Sequence, residues 1–274
     1  MLTIDAEDWF HVCGDAYYSD WRRWDGFVPR LEATLARLFE RLAPGGHRAT
    51  VFFLGWVARR YPHLVAETVA RGHEAAVHGD LHRRADEMSA SEFRDDLARA
   101  RDAVERAAQA PIRAHRAAEW SVRHPGDATL ALLAEAGIDV DASLVPVPPL
   151  GSADAPRGPY RIETEAGPIV EMPPLTGRAF GRRVPMGGGW AFRMVRERRI
   201  RAAEAAYRER GWPAVYTLHP WELDPDLPPM PGLAPLYQLV HFARLSTLPE
   251  RLERLLAEER FVSISDAATA LAPS

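Results

Sequence analysis

The chain is punctuated by short β-rich apolar runs, and most of them stop on a group that can do chemistry. Leu2–Ile4 runs into Asp5, Glu74–Val77 into His78, Ile112–His115 into Arg116, and Val215–Leu218 into His219. Ala49–Leu54 (ATVFFL) is a further run, with others at Ile138–Ala142 and Ile169–Met172. Runs so short and continuous read as strands buried on both faces, because a half-exposed strand would alternate apolar and polar residues. Helical stretches separate them. Leu31, Leu35, Leu38 and Leu42 recur at helical spacing before Pro44, Gly45 and Gly46, and Val57–Arg71 is closed by Gly72. A helix capped by Ser89 or Ser91 reaches about Gln109, Thr129–Ala136 is closed by Gly137, and another spans about Arg193–Arg210. This alternation predicts a parallel α/β architecture. Trp9–Trp24, the Pro/Gly-rich segment 146–159 and Leu223–Pro235 read as irregular excursions. Polar strand ends fall on both sides of 146–159. The expectation is therefore one domain over 1–274, with core motifs in 1–145 and the part from 146 to 274 completing the barrel and its site.

Composition narrows the function. The chain has 274 residues, 47% of them hydrophobic, and a net charge of −4 with both signs interspersed, so it lacks the basic patch of a nucleic-acid binder. All 34 basic residues other than histidine are arginine. Cys13 is the sole cysteine, which excludes an intrachain disulfide and a Cys-rich zinc site and reads as a small buried hydrophobe. No stretch approaches the roughly 20 apolar residues of a membrane span. The opening residues carry no charged segment followed by an apolar run, so the expected compartment is the cytoplasm.

Histidines 78 and 82 form the sharpest motif. A His-x-x-x-His pair on a helical turn would put both imidazoles on one side, close enough to share an ion. It follows a strand directly, and the C-terminal ends of strands are where α/β barrels keep their active sites. Asp5, Glu7 and Asp8 also follow a strand, and like charges so close are relieved by a cation or a shared proton. They read equally as a solvated turn, and His219 alone as a structural histidine. Arg116, at another strand end, can orient a carboxylate. Four polar strand ends spread over more than 200 residues point to one shared site.

The pattern resembles the polysaccharide deacetylase family, also called the NodB-homology family or carbohydrate esterase family 4. Within it, the cytoplasmic branch linked to exosortase and exopolysaccharide systems is the best match. The resemblance rests on Leu2–Phe10, Ala49–Val57, Gly72–His82, Arg116–Ser121, Pro185–Gly189 and Leu218–Pro225, which follow the family's order and cover nearly the whole chain.

That resemblance implies a distorted (β/α)7-type barrel and a divalent ion held by one acidic residue and two histidines. His78 and His82 fall on the metal histidines, Asp5 on the catalytic base, His219 on the catalytic acid, and Arg116 on the residue that orients the base. For the acidic ligand, Asp8 is the family's residue type and is preferred; Glu7, which shares a strand face with Asp5, is the alternative. Ala118 stands where the family has proline, and Glu119 follows it, in a segment whose backbone lines the oxyanion pocket. The implied ion is zinc, with cobalt, nickel or iron accepted by the same donors. The implied substrate is an N-acetylated oligosaccharide or polysaccharide of an exopolysaccharide system, free or lipid-linked. Glu119, Trp120, Gly188, Trp190 and Trp221 are candidate substrate contacts, with Trp9 beside them. For Gly187–Gly189 a tight turn is the competing reading, and buried packing for each tryptophan. The rival functions are a metal-free amidohydrolase of the same fold, disfavoured by the retained histidine pair, and a non-catalytic sugar-binding module.

Overall fold

The computed structural model describes residues 1–271. The strands are β1 (Leu2–Ala6), β2 (Ala49–Phe53), β3 (Glu74–Val77), β4 (Ala114–His115), β5 (Val140–Asp141), β6 (Tyr160–Thr164), β7 (Gly167–Glu171), β8 (Thr176–Ala179), β9 (Arg182–Pro185) and β10 (Tyr216–Leu218). Eight of them form one curled sheet in the order β10-β1-β2-β3-β4-β5-β7-β6. All pair in parallel except β6, which runs antiparallel to β7 at one edge. At the other edge Gly188 makes an isolated parallel bridge to Thr217, so the wall continues past β10. β8 and β9 form a separate hairpin. The result is the expected distorted barrel, drawing strands from both sides of residue 146.

Period two along the strands builds two layers. Leu2, Ile4 and Ala6 of β1, with Val51, Phe53, Ala75 and Val77, pack under the helices in the main core. The opposite parity (Met1, Phe52, Ala76, Ala114, Val140, Met172 and Val215) forms a second cluster closed by Ile264 and Ala268 of the last helix, Ile264–Leu271. That cluster plugs one end of the barrel. One step along the same parity come Thr3, His78, Arg116 and Thr217, and then Asp5, Glu7 and His219 at the open end. Strand alternation alone thus sorts an apolar floor from a polar top.

Several elements differ from expectation for identifiable reasons. The stretch Val57–Arg71 is two helices, α1 (Gly55–Arg60) and α2 (Pro62–Ala70), because Tyr61 precedes a proline and leaves helical geometry at φ −130°, ψ 59°. Arg193–Arg210 likewise divides into Gly189–Met194 and Glu197–Arg208. Ser89 is the cap of the helix Ala90–Ala108, in a reciprocal capping box with Glu92. β6, β8 and β9 were not legible as strands. At Gly188 a Cβ would stand 2.2 Å from the carbonyl oxygen of Thr217. The glycine's backbone lies against β10. Gly188→Ala should therefore lower stability by about 1–3 kcal/mol through overpacking against main chain, read as a reduced urea midpoint at unchanged slope.

Candidate active site

β1 decides the acidic cluster. Asp5 and Glu7 lie on its inner parity, and a Glu7 N–H to Asp5 C=O contact of 2.8 Å turns the chain just after the strand. Glu7 Oε1 then stands 2.8 Å from His78 Nε2 and 2.9 Å from His82 Nε2. Asp8 has the other parity and faces away. Its Oδ1 accepts the N–H of Trp9 at 2.9 Å, and its Oδ2 accepts those of Arg30 (2.8 Å) and Leu31 (3.0 Å) at the start of the helix Leu31–Leu42. Asp8 is a helix cap whose oxygens are already engaged. The preference for it as the acidic ligand is corrected in favour of Glu7.

The histidine pair converges without a helix. Residues 78–82 form a loop in which Gly79 has φ 75° and His82 φ 51°. The left-handed turn, rather than helical periodicity, swings His82 back toward His78, with ring centroids 5.2 Å apart. His78 Nδ1 faces the carbonyl of Arg116 at 2.8 Å, and His82 Nδ1 faces Cys13 Sγ at 3.3 Å. With both Nδ1 atoms protonated, two Nε2 lone pairs and a carboxylate oxygen meet in a buried space. That arrangement is repulsive unless a proton or a cation sits among them. The His82–Glu7 contact lies at hydrogen-bond distance but without hydrogen-bond angles, which leaves His82 Nε2 buried and unsatisfied. Burial works against charge on both partners; even so, Cys13 and Glu7 hold His82 well above its ordinary range, and the two histidines hold Glu7 well below its own. Asp5, Glu7 and His219 form a second convergent group sharing Glu7. The three donors Glu7, His78 and His82 fit a divalent ion better, because His219 is committed elsewhere.

Asp5 Oδ1 receives Arg116 Nη1 at 2.6 Å, and Arg116 also donates to Thr3 Oγ1 (2.9 Å) and the Ala142 carbonyl (3.2 Å). The buried guanidinium lies over the Phe52 ring, 4.4 Å from its centroid. On the opposite side His219 Nε2 stands 3.8 Å from Asp5 Oδ2, and its Nδ1 is 3.1 Å from Glu222 Oε2. Glu222 in turn pairs with buried Arg193 at 3.0 Å, and Arg193 donates to the carbonyls of Val240, His241 and Ala243. Burial lowers the pKa of His219, but the Glu222 hydrogen bond, with Glu7 and Asp5 nearby, outweighs it and raises the ring to about 9. A histidine so raised is a proton donor, not a free ligand. The arrangement can therefore hold an ion, take a proton at Asp5 and give one at His219.

The tryptophans divide. Trp221 is buried and stacked on His241 at 3.9 Å, with the His219 ring 5.3 Å away, so it packs between the two histidines. Trp9 belongs to a packed aromatic cluster. Neither lines an open groove. Trp120 and Trp190 are half-buried, and their indole N–H groups have no partner among the described residues. Glu119 is paired with Arg84 at 3.0 Å, and Glu119 and Trp120 both sit at φ 50°. A cavity of about 680 Å³ opens on the outer side of His82, with Cys13, Trp21, Leu81 and Arg84 in its wall. Glu222, Arg193, Cys13 and Trp21 were not singled out from the sequence as site residues. The three-residue spacing of His219 and Glu222 was the local signal for the first; Arg193 has none.

Two family descriptions match the chain: polysaccharide deacetylase over residues 25–140, and domain of unknown function (DUF3473) over residues 142–269. No curated protein matches the sequence. Among solved structures, the fold is similar to a protein from Mycobacterium smegmatis assigned as a polysaccharide deacetylase. The identity is 20%, with 98% of this chain and 90% of that chain covered and a TM-score of 0.65. It is similar also to Puue allantoinase, at 16% identity, 100% and 90% coverage and a TM-score of 0.60. The Bc1960 peptidoglycan N-acetylglucosamine deacetylase aligns at 15% identity, 97% and 85% coverage and a TM-score of 0.51. At such identities the structures speak for the fold. Residues 25–140 match the polysaccharide deacetylase family, hydrolases that act on the carbon–nitrogen bond of N-acetyl sugars, and the whole chain shares the fold of these solved structures.

Proposed function

We propose that this protein is a metal-dependent N-deacetylase acting on an amino sugar of an exopolysaccharide or of its lipid-linked precursor. The observation that carries this reading is the convergence of Glu7, His78 and His82 beside Asp5 and His219. Zinc is the first choice of ion for two imidazoles and a carboxylate, and when bound it supplies carbonyl polarisation and a more acidic water. Asp5, oriented through Oδ1 by Arg116, takes the proton of the attacking water. His219, held by Glu222 and Arg193, passes its Nε2 proton to the departing sugar amine. The main-chain N–H near Glu119 is the donor assigned to the oxyanion in this reading. Trp21 is a stacking face for the sugar in the adjoining cavity. The two matched segments act as one catalytic domain, since strands from both build the site. No helix among the described residues is long and apolar enough to cross a membrane. A cytoplasmic site of action suits the single free thiol beside His82.

Elemental analysis tests the ligand set. Glu7→Gln, His78→Ala and His82→Ala should each lose the metal. Asp8→Asn should keep it while losing about 1–3 kcal/mol of stability from its unpaired backbone donors. A metal-free Asp8→Asn beside a loaded Glu7→Gln would reverse the assignment.

Turnover tests the roles. Asp5→Asn should retain metal and lose roughly 10²–10⁴-fold in rate. The acid must be protonated, so activity should fall as pH rises through the pKa of His219, about 9. Glu222→Gln removes the carboxylate that raises it and should shift that alkaline limb to lower pH. Acetate release from N-acetylated oligosaccharides or lipid-linked sugars, with no hydrolysis of allantoin-like ureides, is the expected substrate profile. Ureide hydrolysis without acetate release would instead establish an amidohydrolase.

A further inference from the structure

We infer that Cys13 is a positioning residue for the metal site, acting through His82. The inference rests on the metal reading above and goes beyond it. Coordination through His82 Nε2 requires that nitrogen to be unprotonated, so the ring proton must sit on Nδ1 and find an acceptor. For His78 the acceptor is a main-chain carbonyl, that of Arg116 at 2.8 Å. For His82 it is the sulfur of Cys13, 3.3 Å from Nδ1. The same sulfur donates its S–H to the carbonyl oxygen of His82 at 3.1 Å. One thiol therefore holds both the ring and the main chain of a residue at φ 51°, a conformation that costs energy outside glycine. Cys13 is buried and comes from the loop after β1, the strand that also delivers Glu7. Two ligands and their orienting group thus arrive on one strand–loop unit and one turn. A thiol is a weaker acceptor than a carbonyl. His82 is accordingly the more loosely oriented histidine, and the sulfur is the point at which metal affinity is set.

The geometry separates this role from direct ligation. Sγ lies on the Nδ1 side of the ring, whereas Glu7 and His78 converge on the Nε2 side. The experiment measures zinc affinity of the full chain by competition with a chromophoric chelator, for wild type, Cys13→Ala and Cys13→Ser, and records the cobalt(II) absorption spectrum of each. Removing such an orienting group typically weakens metal binding about 10–100-fold. Cys13→Ala should fall in that range, while Cys13→Ser, which can still accept and donate, should recover most of the affinity. Wild-type cobalt protein should show no sulfur-to-cobalt charge-transfer band. Circular dichroism of the metal-free variants checks that they are folded, and Cys13→Ser keeps the comparison decisive if Cys13→Ala is not.

Equal zinc affinity in all three proteins overturns the inference and leaves the metal reading intact. A charge-transfer band lost in Cys13→Ser also overturns it, in favour of a sulfur ligand. A wild type that takes up no zinc removes the metal reading itself, and this inference with it.

Discussion

A guanidinium buried inside a barrel must be fully paired, and the interior of this protein is arranged around one. Arg116 reaches Asp5, Thr3 and the Ala142 carbonyl and lies over Phe52. It thereby ties β1, β2 and the chain after β4 and β5 at one level of the barrel. Taking either member of such a buried pair away costs about 3–5 kcal/mol, because the other is left charged and unpaired. The same contact fixes which oxygen of Asp5 is engaged and which is free to meet a proton. Stability and orientation are here a single interaction.

The opposing wall repeats the logic with different residues. His219 is held by Glu222, Glu222 by Arg193, and Arg193 by the carbonyls of Val240, His241 and Ala243. Asp5 and His219 therefore each have an arginine behind them, one directly and one through a carboxylate. That difference matters. A carboxylate next to the ring raises His219 toward a proton donor, whereas an arginine next to Asp5 aligns an acceptor. Three of the six non-glycine residues at positive φ among the described residues are His82, Glu119 and Trp120. Each such residue costs of order 1–3 kcal/mol, offset by bonds such as Cys13 to the His82 carbonyl and Arg84 to Glu119.

Much of the fold was legible because buried parallel strands write themselves as unbroken apolar runs. β1, β2, β3, β7 and β10 lie within a residue or two of the runs that suggested them. The missed strands are edge elements. β6 carries exposed Arg161 and Glu163, and β9 exposed Arg182 and Arg183, so neither shows a buried strand's composition. The helix breaks at Tyr61 and near Arg196 fell inside otherwise periodic stretches, where the pattern of buried faces persists across the kink. In the site, Asp5, His78, Arg116 and His219 converge as strand ends of one parity should, whereas His82 is brought in by the left-handed turn after His78. Trp9, Trp221 and Gly188 stand next to site residues in sequence, and what the fold adds is their packing against neighbouring side chains and main chain.

By itself the sequence determined the layering. Alternation in β1 puts Asp5 and Glu7 on one face and Asp8 on the other, and the apolar runs require a parallel barrel with its chemistry at the strand ends. Residue type could not choose between Glu7 and Asp8, because both carboxylates suit a cation. Tertiary structure chose, since the amides of Arg30 and Leu31 arrive from 22 and 23 residues away to occupy Asp8. The partners of His82 and His219 were decided the same way. Cys13 stands 69 residues from His82, and Arg193 reaches Glu222 from a different helix. Sequence spacing reports only which face a side chain leaves from; what it meets there depends on distant segments whose approach is set by packing the whole barrel.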